Sequence, residues 1–171
     1  MILNNYWKAN KIVEDLIWSN GRKDYGLIGV SGTGIGAIWY ARNGNTSQYN
    51  LPFYNVQLRT TNIAVRLGTG TGDITADDYS LFNDCTSNIT NLAITNNTQA
   101  EDNKFSQILL ITGINNSGNE LTIKEVGICK KFYTNEDYLS EDVMLAKMLL
   151  SNPVTIAAGG SFRIIVEWAE Q

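Results

Sequence analysis

The chain contains no histidine anywhere in its 171 residues. That removes the commonest general base, the usual partner of a Ser or Cys nucleophile, and the commonest metal ligand. Cysteine is nearly absent too. Cys85 and Cys129 are the two present, far apart and outside any CxxC pattern. They read as buried free thiols rather than as a disulfide staple. Charge is sparse at 18% of residues, with a net value of −4. The basic pairs Arg22-Lys23 and Lys130-Lys131 lie in no stripe interleaved with aromatics. Nucleic-acid binding by phosphate neutralisation is therefore not expected. Long hydrophobic runs are missing as well: no window approaches the roughly 18 apolar residues of a membrane span. The start, MILNNYWKANK, has no basic region leading into an apolar stretch. The expectation is synthesis in the cytoplasm without a secretory signal or membrane insertion.

An enzyme without histidine can still work with paired carboxylates, as glycosidases do. The candidates are Asp77/Asp78, Glu101/Asp102, Glu136/Asp137 and Glu141/Asp142, each an adjacent pair in a polar context. Neighbours on a strand point to opposite faces and rarely converge on one bond, so solvated loop charges are the better reading. No catalytic residue, cofactor or metal is expected, and the chain reads as a non-enzyme.

What the chain does have is glycine. Gly29 to Asn45 reads GVSGTGIGAIWYARNGN and contains Gly32-x-Gly34-x-x-Ala37, one spelling of a dinucleotide-binding turn. Such a turn needs a strand before it, a helix after it and an acid about 20 positions on. Tyr25 to Val30 supplies a strand, but AIWYAR is too short for a crossover helix and runs into Asn43-Gly44-Asn45. No Asp or Glu occurs between Asp24 and Asp73. The stretch predicts a hairpin: one strand through Val30, a glycine-rich bend, a second strand through Ile38 and Tyr40. The second ladder, RLGTGTGDIT, lacks the Gly-Lys-Ser/Thr ending of a phosphate loop. Thr75-Ala-Asp-Asp78 instead predicts a cap on a short helix, ADDYSLF. A calcium site at Asp73, Asp77 and Asp78 does not fit the spacing of a known loop as well as local capping does.

Along the rest of the chain the apolar period is mostly two. The exception comes first: Ile2, Tyr6, Ala9, Val13, Leu16 and Ile17 recur at helical spacing. An amphipathic helix over residues 3–18 is expected, ended by Ser19-Asn20-Gly21. With Trp7 and Trp18 on its other face it suits docking on another subunit, or packing on its own domain. Residues 1–24 are thus read as an N-terminal helix or docking arm, and 25–171 as a single domain. Ile63, Val65 and Leu67 alternate, FSQILLITGI reads as a buried strand, and NNSGN at 115–119 as a turn. In the next strand Leu121 and Ile123 give way to Val126, Ile128 and Phe132 on the opposite parity. A strand cannot change faces without an extra residue, so a β-bulge is expected near Lys124-Glu125. It would make Glu125 a buried or interface carboxylate. VMLAKMLL, before Asn152-Pro153, reads as a strand. Val154 and Ile156, the turn AAGG, and Phe162, Ile164, Val166 and Trp168 read as a closing hairpin with one face in the core. The Asn/Thr-rich residues 83–103 read as a long loop. The fold class is mainly β: an antiparallel β-sandwich, jelly-roll-like, with an N-terminal amphipathic helix.

Three segments in order, VRLGTGTGDITADDYSLF, ILLITGINNSGNELTIKEVGICKKF and MLAKMLLSNPVTIAAGGSFRIIVEW, resemble a layout of tailed-bacteriophage structural proteins. The likeness spans roughly residues 63–168 and is one of pattern. It implies a non-enzymatic virion component of the capsid surface, neck or tail, binding itself as a homo-oligomer and other virion structural proteins. The expected contact residues are Tyr6, Trp7, Trp18 and Glu125. A reading of another class is a glycan-binding module of a receptor-binding tail protein, with Trp39, Tyr40, Tyr49 and Tyr54 as a stacking platform. Core and interface packing accounts for the same aromatics.

Overall fold

The computed structural model describes residues 1, 3–5, 8, 21–23, 27–32, 34–35, 38–40, 63–101, 104–133 and 140–169. Within them the chain is mainly β. Its strands are β1 (Gly21–Lys23), β2 (Leu27–Ile28), β3 (Gly34–Ile35), β4 (Ile38–Tyr40), β5 (Ile63–Gly68), β6 (Ile89–Glu101), β7 (Lys104–Asn115), β8 (Leu121–Tyr133), β9 (Ser140–Ile156) and β10 (Ser161–Ala169). Two three-stranded sheets carry the molecule, in the orders β5-β8-β9 and β10-β7-β6. Every neighbour in both is antiparallel.

The alternating apolar residues of both sheets meet in one core. Val65, Leu67, Ile123, Val126, Ile128, Ala146 and Ile156 come from the first sheet, and Ile89, Leu109, Ile111, Phe162, Ile164 and Val166 from the second. Each large side chain buried there contributes about 1.5–3 kcal/mol. The first sheet is covered on its other face as well. Cys129 and Met144 pack there with Leu3 and Leu81, and Val30, Ala64 and Ile74 lean on them. Consequently β8 is buried on both faces from Glu125 to Lys130.

The parity change in β8 is real. Ile123 and Val126 both enter the core, and the β8–β9 register slips between Ile123 and Glu125. The extra residues lie on the partner strand: Ile123 pairs with Val154 and Glu125 with Leu149, so 150–153 bulge out of β9. Pro153, which has no N–H to donate, falls within that bulge. VMLAKMLL is strand, as its shortness suggests.

The glycine-rich stretch is also a hairpin. Leu27 pairs with Ile35 and Ile28 with Gly34, and outside them Gly21, Arg22 and Lys23 pair with Tyr40, Trp39 and Ile38, all antiparallel. The bend closes with Gly32 N–H donating to Gly29 O over 2.9 Å. Gly32 has φ +84°, which L side chains rarely adopt.

Three expectations are overturned. Residues 83–103 are not a long loop, because β6 runs through Ile89–Glu101. Thr90, Asn91 and Thr95 are exposed on an edge strand whose Ile89, Leu92 and Ile94 reach the core. The final two strands do not form a hairpin: β9 pairs with β8, whereas β10 pairs with β7 in the other sheet. Alternation fixes which face is buried but not which neighbour is paired. The segment ADDYSLF is not helical. Thr75 and Asp78 do bond, Oγ1 to Oδ1 at 2.7 Å and Asp78 N–H to Thr75 O at 3.2 Å, but the turn ends there. Leu81 is drawn into the second cluster and the Phe82 N–H is taken by a side chain. The helix expected over 3–18 lies mostly outside the described residues; Asn4, Asn5 and Lys8 are helical.

Two of the three crossings between the sheets, those after β7 and after β9, are fastened by Asn115, which is fully buried. Its Nδ2 donates to the carbonyls of Asn119, Ile156 and Ala157, at 2.7, 3.0 and 3.2 Å. Its Oδ1 accepts from Ser117 N–H and Oγ. Its backbone bonds to Gly159 and Gly160, so the turns after β7 and after β9 are held by one residue.

Candidate functional site

Where the bulge re-aims β8, Glu125 faces Gly68 of β5 in the register. A Cβ on Gly68 would lie 2.6 Å from Glu125 Cγ, so the strand has room for the carboxylate only because that residue is glycine. The side chain is fully buried. Its Oε1 accepts from Gly70 N–H at 3.1 Å and Asn83 N–H at 2.9 Å, and its Oε2 from Phe82 N–H at 3.0 Å. The N–H groups of the glycine ladder and its return are thus occupied by a carboxyl side chain of the chain itself. A Cβ on Gly70 would meet Phe82 Cβ at 2.6 Å and Asn83 N at 2.8 Å. The second glycine permits that close approach.

Lys147 of β9 completes the cluster. Its side chain is 1% exposed, and its Nζ lies 3.0 Å from Asp78 Oδ2, 3.1 Å from Ser80 O and 3.8 Å from Glu125 Oε2. It also stands 3.1 Å over the centroid of the Phe82 ring. Burial pushes Asp78 upward, but the bonds from Thr75 and Lys147 outweigh it and hold the carboxyl below its usual range. The backbone of Lys147 bonds to Met1 in both directions, and Leu3 N–H donates to Leu145 O. The first residues therefore line the outer edge of β9.

A second charged group lies nearby. Arg66 reaches Asp84 at 2.7 Å and Asp142 at 3.1 Å, and the two carboxylates hold its pKa above the ordinary value against burial. Arg66 Nε and Asp142 Oδ1 stay buried without a hydrogen-bond partner. Val30 N–H donates to Asp142 O, which docks the glycine hairpin on β9.

Chemically these groups are clamps. Three N–H groups occupy both Glu125 oxygens, and Lys147 is enclosed by two acceptors and a ring. Both cysteines are free and buried. Burial, with the charges of Asp84 and Glu125, pushes the Cys85 thiol up to about 11, and burial also pushes Cys129 up. Neither is an activated nucleophile. Asp77 accepts from Asn4 at 2.8 Å, and no group of three or more acidic or sulfur ligands among the described residues is placed to hold a metal. No helix among them is long and apolar enough to cross a membrane.

Of the residues expected from sequence, Glu125 lies inside the chain, on the buried side of its two alternatives. Tyr6, Trp7, Trp18, Tyr49 and Tyr54 lie outside the described residues. Trp39 and Tyr40 belong to β4, paired with Arg22 and Gly21. Lys147 and Asn115 were missed. Lys147 had a signal: a lone charge within VMLAKMLL needs a buried partner if the run is core. Asn115 had none, because the residues it binds come from turns distant in sequence.

No family model, curated protein or solved structure matches this chain.

Proposed function

We propose that the chain is a non-enzymatic structural protein of a tailed-bacteriophage virion. In this reading it oligomerises and binds other virion proteins in the capsid surface, neck or tail. The two sheets form an antiparallel, jelly-roll-like β-sandwich, and residues 1–24 act as a docking arm on it.

One observation carries the reading. The three segments with the phage-like layout each supply part of a single cluster around the buried Glu125 and Lys147. The first supplies Gly68, Gly70, Asp78 and Phe82, the second Glu125 and the third Lys147. The segments that carry the likeness of pattern are thus the ones that interlock, which chance recurrence of turn glycines does not require. The charged groups at the centre are spent on holding loops, which suits a scaffold.

Mass spectrometry and cryo-EM of purified particles test it. The chain is expected among the virion proteins, traceable at a fixed position in the map. In solution it is expected well above 18.9 kDa by light scattering. A protein that stays monomeric and is missing from particles would end this reading.

A further inference from the structure

β10 forms one margin of its sheet, with β7 on its inner side and no described strand on its outer side. Phe162, Ile164 and Val166 fill the core, while Ser161, Arg163, Ile165 and Glu167 point away from it and are exposed. Ile165 is 59% exposed, more than any other large apolar side chain among the described residues. Across β7 it faces Leu110, and Arg163 and Glu167 face Thr112 and Ile108, which carry no charge. Four residues of strand separate Arg163 from Glu167 by roughly 13 Å, too far for them to meet. Neither has an ion-pair partner among the described residues.

We propose that β10 pairs with β10 of a second copy, antiparallel about a two-fold axis at Ile165. This rests on the assembly reading above and names its surface. In that register Arg163 stands opposite the partner's Glu167, Glu167 opposite the partner's Arg163, and Ile165 against the partner's Ile165. The charges also select the register. Displacing the pairing by two residues sets a charge against Ile165. Displacing it by four sets Arg163 against the partner's Arg163, or Glu167 against the partner's Glu167. Only the centred register satisfies both charges and covers the exposed isoleucine. The opposite margin, β6, has no charged residue from Ile89 to Ala100 and a bulge near its start, so it offers no such code. The result is an isologous contact that joins two sheets into one and closes on itself.

The test is a charge-reversal cycle on the full chain: wild type, Arg163→Glu, Glu167→Arg and the double reversal. Each is followed by sedimentation and light scattering across concentration, with circular dichroism to confirm folding. Wild type is expected to associate from 18.9 kDa to at least twice that mass. Each single reversal places like charges opposite each other at both symmetry-related pairs, and is expected to weaken association by roughly tenfold or more. The double reversal, which exchanges the charges, is expected to restore it. Association that is indifferent to all three variants overturns the β10 contact and leaves the assembly reading standing. Loss in the singles without recovery in the double also overturns it. A wild type that is monomeric throughout overturns both.

Discussion

A buried carboxylate with two oxygens facing three backbone N–H groups has no tolerance for a donor. Glu125→Gln keeps the shape but turns one acceptor into an NH2, so at least one of Gly70, Phe82 and Asn83 loses its partner. Lys147, 3.8 Å away, also loses a countercharge. The expected loss is about 3 kcal/mol, read as a lower urea midpoint at unchanged slope. Gly68→Ala attacks the same group from outside, since its Cβ would stand 2.6 Å from Glu125 Cγ. It is expected to cost a similar amount. The double variant should lose less than the sum of the two single losses, because both dislodge one side chain. Additive losses would mean that Gly68 serves some other purpose. The glycines of the second ladder were legible as turn-formers, but their role as clearance for a side chain from 55 positions downstream was not. Such a contact depends on register between β5 and β8, and composition near the glycine carries no trace of it.

Elements were legible where one physical rule decided them. The register slip between β8 and β9 beside Lys124-Glu125 followed from Ile123 and Val126 having opposite parity yet one core. β6 obeys the same arithmetic. Ile89 and Leu92 also differ in parity, and the β6–β7 register slips between Thr90 and Ala93. Asn91 takes up the slip at φ 51°, a conformation Asn tolerates and β-branched residues do not. Asn91→Gly is expected to leave stability within about 0.5 kcal/mol, while Asn91→Val costs about 1–2 kcal/mol. Thermal melts of the pair check this; equal melting points would mean that the bulge is not held by that residue. Composition rich in Asn and Thr points to a loop in this segment, whereas the spacing of Leu92 and Ile94 points to a strand. Pairing partners stayed illegible for a different reason. The turn after β9 looks like a hairpin turn, and it is the pairing, β9 on β8 and β10 on β7, that makes it a crossing between sheets, held by the Asn115 side chain at the Ile156 and Ala157 carbonyls.

For the whole molecule, the missing histidine and the clamped aspartates together set how stability follows pH. Asp84 resembles Asp78: burial raises its pKa, but bonds from Thr86 and the Arg66 guanidinium outweigh burial and hold it below the usual range. A carboxyl depressed in the folded state is stabilising wherever the unfolded chain is already ionised, above about pH 4. As pH falls below that, the unfolded chain takes up protons first, and the contribution is lost on the way down to the folded pKa. Acid therefore loosens both ends of the segment between β5 and β6: Asp78 leaves Lys147, and Asp84 leaves Arg66. No histidine titrates between pH 5 and 8, so the urea midpoint is expected to be nearly flat there and to fall steeply below pH 4. Asp84→Asn should lower the plateau and make the acid fall shallower, since one of the two linked groups no longer titrates. Urea titrations from pH 3 to 8 decide it. A midpoint that drifts as much between pH 6 and 8 as below pH 4 would place the controlling groups elsewhere.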